Sequence, residues 1–243
     1  MSAPVFVVPR EHLVVGPVVV TGAEGRHAAT VTRLAPGEAV VLTDGRGRRA
    51  AGVVSAAERV SLTVEVASVA EVPAPEPRFV VVQALPKGDR GELAVETMTE
   101  VGVDVVVPWA AARCVTRWRD ERADKALTKW RTSAQSAGKQ SRRAWFPEVT
   151  GLASTADVSR LLTAAALGGV LHESATQPLA SAELPDSGDV VLVVGPEGGL
   201  TDEELGAFRD AGAATYRLGE TVLRTSTAGV AALAVLSAQD RWR

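Results

Sequence analysis

The segment Val190–Leu200 reads VVLVVGPEGGL and continues as TDEEL through residue 205. Its apolar run has the length of a strand and ends at a Gly-Pro pair, which two further glycines follow. Thr201 and Glu204 have the spacing of a capping box, in which a hydroxyl and a carboxylate accept hydrogen bonds from backbone N–H groups at a helix start. The segment therefore predicts a strand, a glycine turn and a helix N-terminus, where backbone can approach a ligand closely.

Residues 78–243 repeat this alternation of apolar strands and helices. The apolar runs predict strands at 79–84, 103–108, 169–172, 190–194 and 215–218, and helices at 92–101, 123–137, 202–211 and 227–240. Strands that are apolar throughout and alternate with helices indicate an α/β domain whose parallel sheet is covered on both faces. In such sheets ligands bind beyond the carboxyl ends of the strands.

Residues 1–72 have a different pattern, in which short strands are separated by turn residues. Strands are predicted at 5–8, 18–20, 39–42, 52–55 and 62–69, with a hairpin turn at Asp44–Gly47 and a short helix or turn at 27–34. This spacing favours a small barrel-like β-domain. Residues 73–77 read PAPEP, which is typical of a stiff linker. We therefore expect a domain boundary there, with a second domain at 78–243.

The composition limits the classes of function. Cys114 is the only cysteine, which excludes an internal disulfide, and the three histidines are too scattered to predict a metal site. No apolar run reaches the roughly 18 residues that a membrane span requires, and the N-terminus has no apolar signal segment. We expect a soluble, cytoplasmic protein that needs no metal and no membrane.

The net charge of −3 hides an uneven distribution. Between Arg113 and Arg143, ten basic residues stand against three acidic ones, which is +7 in 31 residues and leaves −10 for the remainder. A local basic field attracts a polyanion. Trp118, Trp130 and Trp145 are interleaved with the arginines, as suits stacking on unpaired bases. They are equally compatible with the core of an amphipathic helix, and the sequence leaves both interpretations open.

Three segments follow predicted strands and are therefore expected on one edge of the sheet. They are LHES at 171–174, GPEGG at 195–199 and LGETVLRTSTA at 218–228. None of them contains the dinucleotide fingerprint GxGxxG or a Gly-Lys-Ser/Thr phosphate loop, which disfavours an ordinary nucleotide-binding enzyme.

These segments closely resemble the cofactor loops of the RsmE family of ribosomal RNA uridine N3-methyltransferases, which belong to the SPOUT class. The resemblance extends to LPKGDR at 85–90, TEVGV at 99–103, KWR at 129–131, QSRR at 140–143 and, in the first domain, to residues 27–33 with Asp44-Gly45. It covers nearly the whole chain. It implies a PUA-like N-terminal barrel, a SPOUT domain with a deep trefoil knot, a homodimer, S-adenosyl-L-methionine as cofactor, and a uridine in the decoding region of 16S rRNA in the small ribosomal subunit as the target.

The resemblance also implies which residues bind. The expected cofactor-binding residues are Leu171, His172, Glu173, Gly195, Pro196, Glu197, Gly198, Gly199, Leu218, Gly219, Leu223, Arg224, Thr225, Thr227 and Ala228. The expected RNA-binding residues are His27, Arg33, Gln140, Arg142 and Arg143, with Arg10 in place of the arginine at the family's usual start. Lys87, Arg90 and Arg113 are added because they lie at or just after predicted strand ends.

Methylation at N3 of uracil requires that the N3 proton leave before or during attack, so a base or a cation that stabilises the anion would help. Arg224 is the expected catalytic residue for the electrostatic role, since an arginine can bind the uracil oxygens or a phosphate bidentately. Glu197 is a poor base because a helix N-terminus favours its ionised form. His172 titrates in the useful range. The base is left unassigned.

The chain departs from the family pattern at several positions. Ser226 stands where many relatives have glutamate, Lys139 replaces another frequent glutamate and makes the patch more basic, and the arginine-aromatic start is replaced by residues 4–8. These departures motivate an alternative, an RNA-binding ribosome-assembly factor with weak or no methyltransferase activity. Another alternative is a SPOUT methyltransferase that acts at a different RNA position.

Overall fold

A computed structural model describes residues 3–242 as two compact units. The first contains the chain up to Ala74 together with Gly138–Phe146, and the second contains Pro75–Ala137 and the chain from Pro147 onward. The sequence analysis places Gly138–Phe146 within the second domain, whereas the structure groups this segment with the first unit. The reason is local packing, because aromatic side chains of the segment lie against a hairpin turn of the first unit.

The first unit is a five-stranded sheet in the order β1-β3-β4-β5-β2. Its strands are β1 (Val5–Val7), β2 (Gly16–Val20), β3 (Ala39–Thr43), β4 (Arg48–Ala57) and β5 (Leu62–Glu71). Strands β1 and β3 pair in parallel, and the other neighbours are antiparallel. A short helix, α1 (Gly22–Arg26), continues into a π-helical turn at His27–Thr32. Phe6, Leu42 and Leu62 are buried in the core.

The β3–β4 hairpin turn is covered by two aromatic residues from the second segment of the unit. The ring of Phe146 lies so close to Gly45 that a Cβ built there would be 2.8 Å from its Cδ2 atom. Trp145 lies against Gly47 in the same way, at 2.7 Å, and its indole N–H donates to the carbonyl of Val72 at 2.9 Å. Both glycines have positive φ values, +68° and +96°. The turn therefore needs glycine for its backbone conformation and for the close approach of the rings.

We expect Gly45→Ala to lower the free energy of unfolding of the first unit by about 3 kcal/mol, since left-handed backbone costs about 1–2 kcal/mol and an overpacked contact about 1–3 kcal/mol. Gly37→Ala is the matched control, because Gly37 has φ +95° but no atom within 4 Å of a built Cβ. It should show the backbone cost alone. Urea denaturation of both variants measures the difference, and equal losses would mean that the Phe146 contact contributes nothing.

The second unit is a six-stranded parallel sheet in the order β11-β9-β10-β6-β7-β8. Its strands are β6 (Arg78–Ala84), β7 (Val105–Trp109), β8 (Glu148–Val149), β9 (Leu167–Leu171), β10 (Asp189–Val194) and β11 (Ala214–Tyr216). Its helices are α2 (Arg90–Val101), α3 (Asp120–Gln140, whose last residues belong to the first unit), α4 (Thr155–Ala164), α5 (Asp202–Asp210) and α6 (Thr225–Gln239). All strand pairs are parallel, which confirms the predicted α/β class. Strand β8 and helix α4 are absent from the sequence prediction.

The order of the sheet explains why three loops meet. Strands β9, β10 and β11 are neighbours although other elements separate them along the chain. Because parallel strands end at the same edge, the segments that follow these three strands lie side by side. Within residues 3–242, no helix is long and apolar enough to cross a membrane.

Candidate active site

A cavity of about 810 Å³ opens at the carboxyl edge of β9, β10 and β11. Its wall contains Arg113, Leu171, His172, Glu173, Ser174, Val194, Gly195, Pro196, Glu197, Gly198, Gly199, Leu200, Asp202, Leu205, Tyr216, Arg217, Leu218, Gly219, Glu220, Thr221, Val222, Leu223, Arg224, Thr225 and Ala228. Every expected cofactor-binding residue is among them except Thr227. A volume of this size is typical of small-molecule sites.

Thr227 supports the wall instead of forming it. Its backbone N–H and its hydroxyl both donate to the carbonyl of Arg224, at 2.9 and 3.3 Å. The N–H of Ala228 donates to the same carbonyl at 2.9 Å. These bonds begin helix α6 directly after Arg224 and fix the backbone from which its side chain projects.

The loop Leu218–Leu223 is unusual in its hydrogen bonding. Within the described residues 3–242, none of its backbone N–H or C=O groups has a hydrogen-bond partner. The loop is mostly exposed, so water satisfies these groups when no ligand is present. Six consecutive residues thus offer donors and acceptors at the cavity, beside the apolar side chains of Leu171 and Leu218.

The segment Gly195–Leu200, which we call the glycine loop, forms a tight turn. The N–H of Gly199 donates to the carbonyl of Pro196 at 2.9 Å, and Gly199 has φ +72°. The carboxylate of Glu197 accepts from the backbone N–H of Lys87 at 3.1 Å. This bond ties the glycine loop to the loop after β6. Glu197 therefore already has a structural partner.

The capping box predicted at Thr201 and Glu204 is present. The Glu204 N–H donates to the Thr201 hydroxyl at 3.1 Å, and the Thr201 N–H donates to Glu204 Oε2 at 2.9 Å. The other oxygen of Glu204 has a further role, since it accepts from the N–H of Ala112 at 2.8 Å. Glu204 is only 4% exposed. One buried carboxylate thus joins the start of α5 to the loop after β7.

His172 follows β9 directly, and its surroundings fix the tautomer of the neutral ring. Its backbone N–H donates to the carbonyl of Tyr216 at 2.9 Å. Its Nδ1 lies 3.2 Å from the backbone N–H of Ser174 and 2.8 Å from the Ser174 hydroxyl. Because a backbone N–H can only donate, Nδ1 is the acceptor and the ring proton lies on Nε2. Nδ1 is therefore engaged by Ser174 and is not directed at a ligand in the cavity.

Tyr216 contributes the floor of the cavity at the end of β11. Its side chain is buried, and burial raises the pKa of its phenol above the usual value. The ring packs over Gly169, where a built Cβ would lie 3.0 Å from Cδ2. The phenol is therefore protonated at neutral pH and can only serve as a neutral hydrogen-bonding group.

Arg224 is exposed at the cavity wall. Within residues 3–242 its guanidinium makes no hydrogen bond and no ion pair, so its donors are available to a ligand. Ser226 is buried and does not line the cavity. Ser226 therefore contributes no group to the cavity wall.

The expected RNA-binding residues of the first unit differ in their availability. Arg10 donates to Asp44 and to Glu71, each at 2.8 Å, and these bonds raise the pKa of its guanidinium, that to Asp44 most. The positive charge of Arg10 is thus balanced by two carboxylates of the same unit. Arg143 donates to the carbonyl of Trp145 at 2.8 Å. The other expected residues of this unit, which are His27, Arg33, Gln140 and Arg142, are exposed.

Lys139 does not increase the free basic charge. Its ammonium group lies 2.7 and 2.8 Å from the two carboxylate oxygens of Glu24, and 5.8 Å from the centre of the Phe6 ring. The charge of Lys139 is therefore paired with Glu24 within the first unit.

The tryptophans of the basic stretch divide into two kinds. Trp118 and Trp130 form an edge-to-face pair with ring centres 5.0 Å apart, and Trp130 is 4% exposed within the core of the second unit. Trp118 and Trp130 therefore pack with the hydrophobic core, as the second of the two interpretations predicts. Trp145 packs on the hairpin turn of the first unit instead. Trp130 is therefore unavailable for base stacking, whereas Trp118 and Trp145 are half-buried.

The expected RNA-binding residues of the second unit are Lys87, Arg90 and Arg113. All three are exposed. Lys87 and Arg90 flank the start of α2, whereas Arg113 lines the cavity and donates to carbonyls of the glycine loop. Among residues 3–242, no group of three or more His, Cys, Asp or Glu side chains is placed to hold a metal ion.

Two domain families match this chain. One, described as an RNA methyltransferase domain, matches residues 74–237, and the other, described as an RNA methyltransferase PUA domain, matches residues 20–67. The Ribosomal RNA small subunit methyltransferase E of Mycobacterium bovis is 49% identical over 229 residues, which cover 92% of this chain and 87% of that protein. The chain belongs to the ribosomal RNA small subunit methyltransferase E family.

Other members of the methyltransferase E family agree over the same length. The Bacillus subtilis protein of this name is 29% identical over 228 residues, covering 90% of this chain and 89% of its own. A crystal structure of the Neisseria gonorrhoeae methyltransferase E, bound to S-adenosyl methionine, superposes with a TM-score of 0.85 at 27% identity and covers 98% of both chains. The resemblance to RsmE and the PUA-like assignment of the first domain are confirmed.

Proposed function

We propose that this protein transfers a methyl group from S-adenosyl-L-methionine to 16S ribosomal RNA of the small subunit, at N3 of a uridine in the decoding region. Membership of the methyltransferase E family supports the reaction class and the RNA. The single observation that carries the proposal is the cavity formed by the three strand-end segments, which contains fourteen of the fifteen expected cofactor-binding residues. The choice of N3 and of the uridine rests on the family resemblance.

The cavity fits this cofactor. Leu171, Leu218 and Leu223 supply apolar surface, and the backbone groups of Leu218–Leu223 are free to bond a polar heterocycle. Glu173 and Asp202 at the wall are suited to an ammonium group. S-adenosyl-L-methionine supplies an activated methyl group on its sulfonium.

The residues of this chain contribute binding, orientation and charge. Orientation supplies much of the rate in a displacement of this kind, since the reacting atoms have to be in line. The N3 proton of uracil is lost before or during attack, and the free guanidinium of Arg224 stabilises the resulting negative charge on the neighbouring oxygens. Nε2 of His172 carries a proton and is therefore a donor. The base remains unassigned.

RNA is held by the exposed basic and amide side chains, which are Arg33, Gln140 and Arg142 in the first unit and Lys87 and Arg90 in the second. Phosphate contacts of this type give an affinity that falls steeply with salt. Arg10 is a weaker candidate because two carboxylates already bind it. The homodimer, the trefoil knot and the domain limits 1–72 and 78–243 stay predictions.

Nucleoside mass spectrometry of 16S rRNA tests the proposed function. A strain that lacks this gene is expected to lose 3-methyluridine from its 16S rRNA, and a plasmid-borne copy should restore it. Undiminished 3-methyluridine in the deletion strain would contradict the assignment, and loss of a different methylated nucleoside would place the reaction at another RNA position.

A further inference from the structure

Arg113 lies in the loop after β7, and its side chain reaches across to the glycine loop. Its Nη1 donates to the carbonyl of Gly198 at 3.3 Å and to the carbonyl of Leu200 at 3.1 Å. The two loops also pack tightly, because a Cβ built on Gly198 would lie 3.0 Å from the Cβ of Arg113. A residue that the sequence analysis assigns to RNA binding thus holds the backbone of the cavity wall.

The contact at Gly198 fixes one peptide group from both sides. The carbonyl of Gly198 accepts from Arg113, and the N–H of the same peptide group, which belongs to Gly199, donates to Pro196 at 2.9 Å. Since the carbonyl and N–H of a peptide group point in opposite directions, its plane cannot rotate without breaking one of the two bonds.

The contact at Leu200 fixes the next peptide group but one. Its carbonyl accepts from Arg113, and its N–H, on Thr201, donates to the buried carboxylate of Glu204 at 2.9 Å. The other oxygen of Glu204 accepts from Ala112, the residue before Arg113, at 2.8 Å. Arg113 and Glu204 are therefore two links between the same pair of loops, one through carbonyls and one through N–H groups.

Fixing these two peptide groups leaves other backbone N–H groups of the glycine loop available to a ligand. Within residues 3–242, the N–H groups of Gly198 and Leu200 have no hydrogen-bond partner, although the peptide groups beside them are held. We propose that Arg113 is a positioning residue that holds the glycine loop in its ligand-binding shape by fixing the carbonyls of Gly198 and Leu200. This inference rests on the proposed function, since it assumes that the cavity binds S-adenosyl-L-methionine.

Arg113→Gln removes the long donor and should release both carbonyls. The glycine loop then spends less time in its binding shape, and the apparent dissociation constant rises in proportion to the lost fraction. We expect S-adenosylhomocysteine to bind about tenfold more weakly by calorimetry without RNA, which corresponds to a competent fraction of about one tenth. Hydrogen exchange of the Gly199 and Thr201 amides should become faster.

Arg119→Gln is the matched control. Arg119 lies in the same basic loop and is exposed, and its side chain has no hydrogen-bond partner within residues 3–242. The control removes the same charge and should leave the binding of S-adenosylhomocysteine unchanged. Arg113→Lys keeps the charge, but the lysine side chain is shorter by about one bond than arginine and should not reach both carbonyls. We therefore expect Arg113→Lys to bind S-adenosylhomocysteine as weakly as Arg113→Gln does, with RNA affinity at the wild-type level.

Steady-state kinetics separate positioning from a general loss of structure. For Arg113→Gln we expect a raised KM for S-adenosyl-L-methionine with kcat preserved at saturation, whereas a merely destabilised protein would lose kcat with its active fraction. Equal binding of S-adenosylhomocysteine by Arg113→Gln and wild type overturns the inference alone, as does a loss confined to RNA affinity. No binding by wild type overturns the proposed function and the inference together.

Discussion

Arg224→Ala is expected to lower kcat for methylation of small subunits by about 100- to 1000-fold, the usual cost of removing one group that stabilises developing negative charge. The physical reason is that Arg224 is exposed at the cavity with its guanidinium unpaired within residues 3–242. Its backbone carbonyl, which begins α6, is unaffected by the substitution. The fold should therefore remain.

Arg209→Ala is the control for lost charge, because Arg209 is exposed in the last turn of α5 and does not line the cavity. It should have wild-type kcat. Arg224→Lys should recover only part of the activity, since an ammonium cannot bind two oxygens in the fork geometry of a guanidinium. Near-normal kcat in Arg224→Ala would mean that Arg224 has no catalytic role. An equal loss of kcat in Arg209→Ala would mean that the effect comes from the change in net charge.

Glu204→Ala is expected to lower the free energy of unfolding by about 4 kcal/mol, because it removes two hydrogen bonds to a buried carboxylate, each worth about 1.5–3 kcal/mol. The substitution leaves the N–H groups of Ala112 and Thr201 without their partner. It also loosens the glycine loop from the opposite side to Arg113. Chemical denaturation measures the first effect, and calorimetry with S-adenosylhomocysteine measures the second.

Asp157→Ala is the matched control, since Ser154 and Asp157 form a capping box of the same type at the start of α4. This second box is exposed, and Asp157 makes no bond to a distant loop. Its loss should cost much less than the loss of Glu204. Equal costs would mean that the Ala112 link adds nothing beyond the helix cap.

The two capping boxes can be predicted from sequence, but the long-range contact of Glu204 cannot. The spacing of Thr201 and Glu204 is local, so it predicts the cap correctly. The bond from Glu204 to Ala112 spans 92 positions and has no local pattern. The same limit applies to Lys139, because its ion-pair partner Glu24 lies 115 positions away and no local pattern predicts the pairing.

The strands can be predicted from their apolar runs and turn residues, and the three cavity loops from their position directly after predicted strands. Strand β8 is the exception, since two residues are too few for any period. The sequence prediction also lacks helix α4, although the capping-box spacing of Ser154 and Asp157 marks its start. The core position of Trp118 and Trp130 follows from their contact with each other, which composition leaves open.

The grouping of Gly138–Phe146 with the first unit has a consequence for synthesis on the ribosome. The hairpin turn at Gly45 and Gly47 is made early, but the rings that cover it arrive only after much of the second unit has been translated. Domains usually fold in order as they emerge. Here the N-terminal domain cannot complete its packing co-translationally until Phe146 leaves the exit tunnel, so its final folding step is expected to be late, and a fragment ending at Ala74 would lack part of its own surface cover.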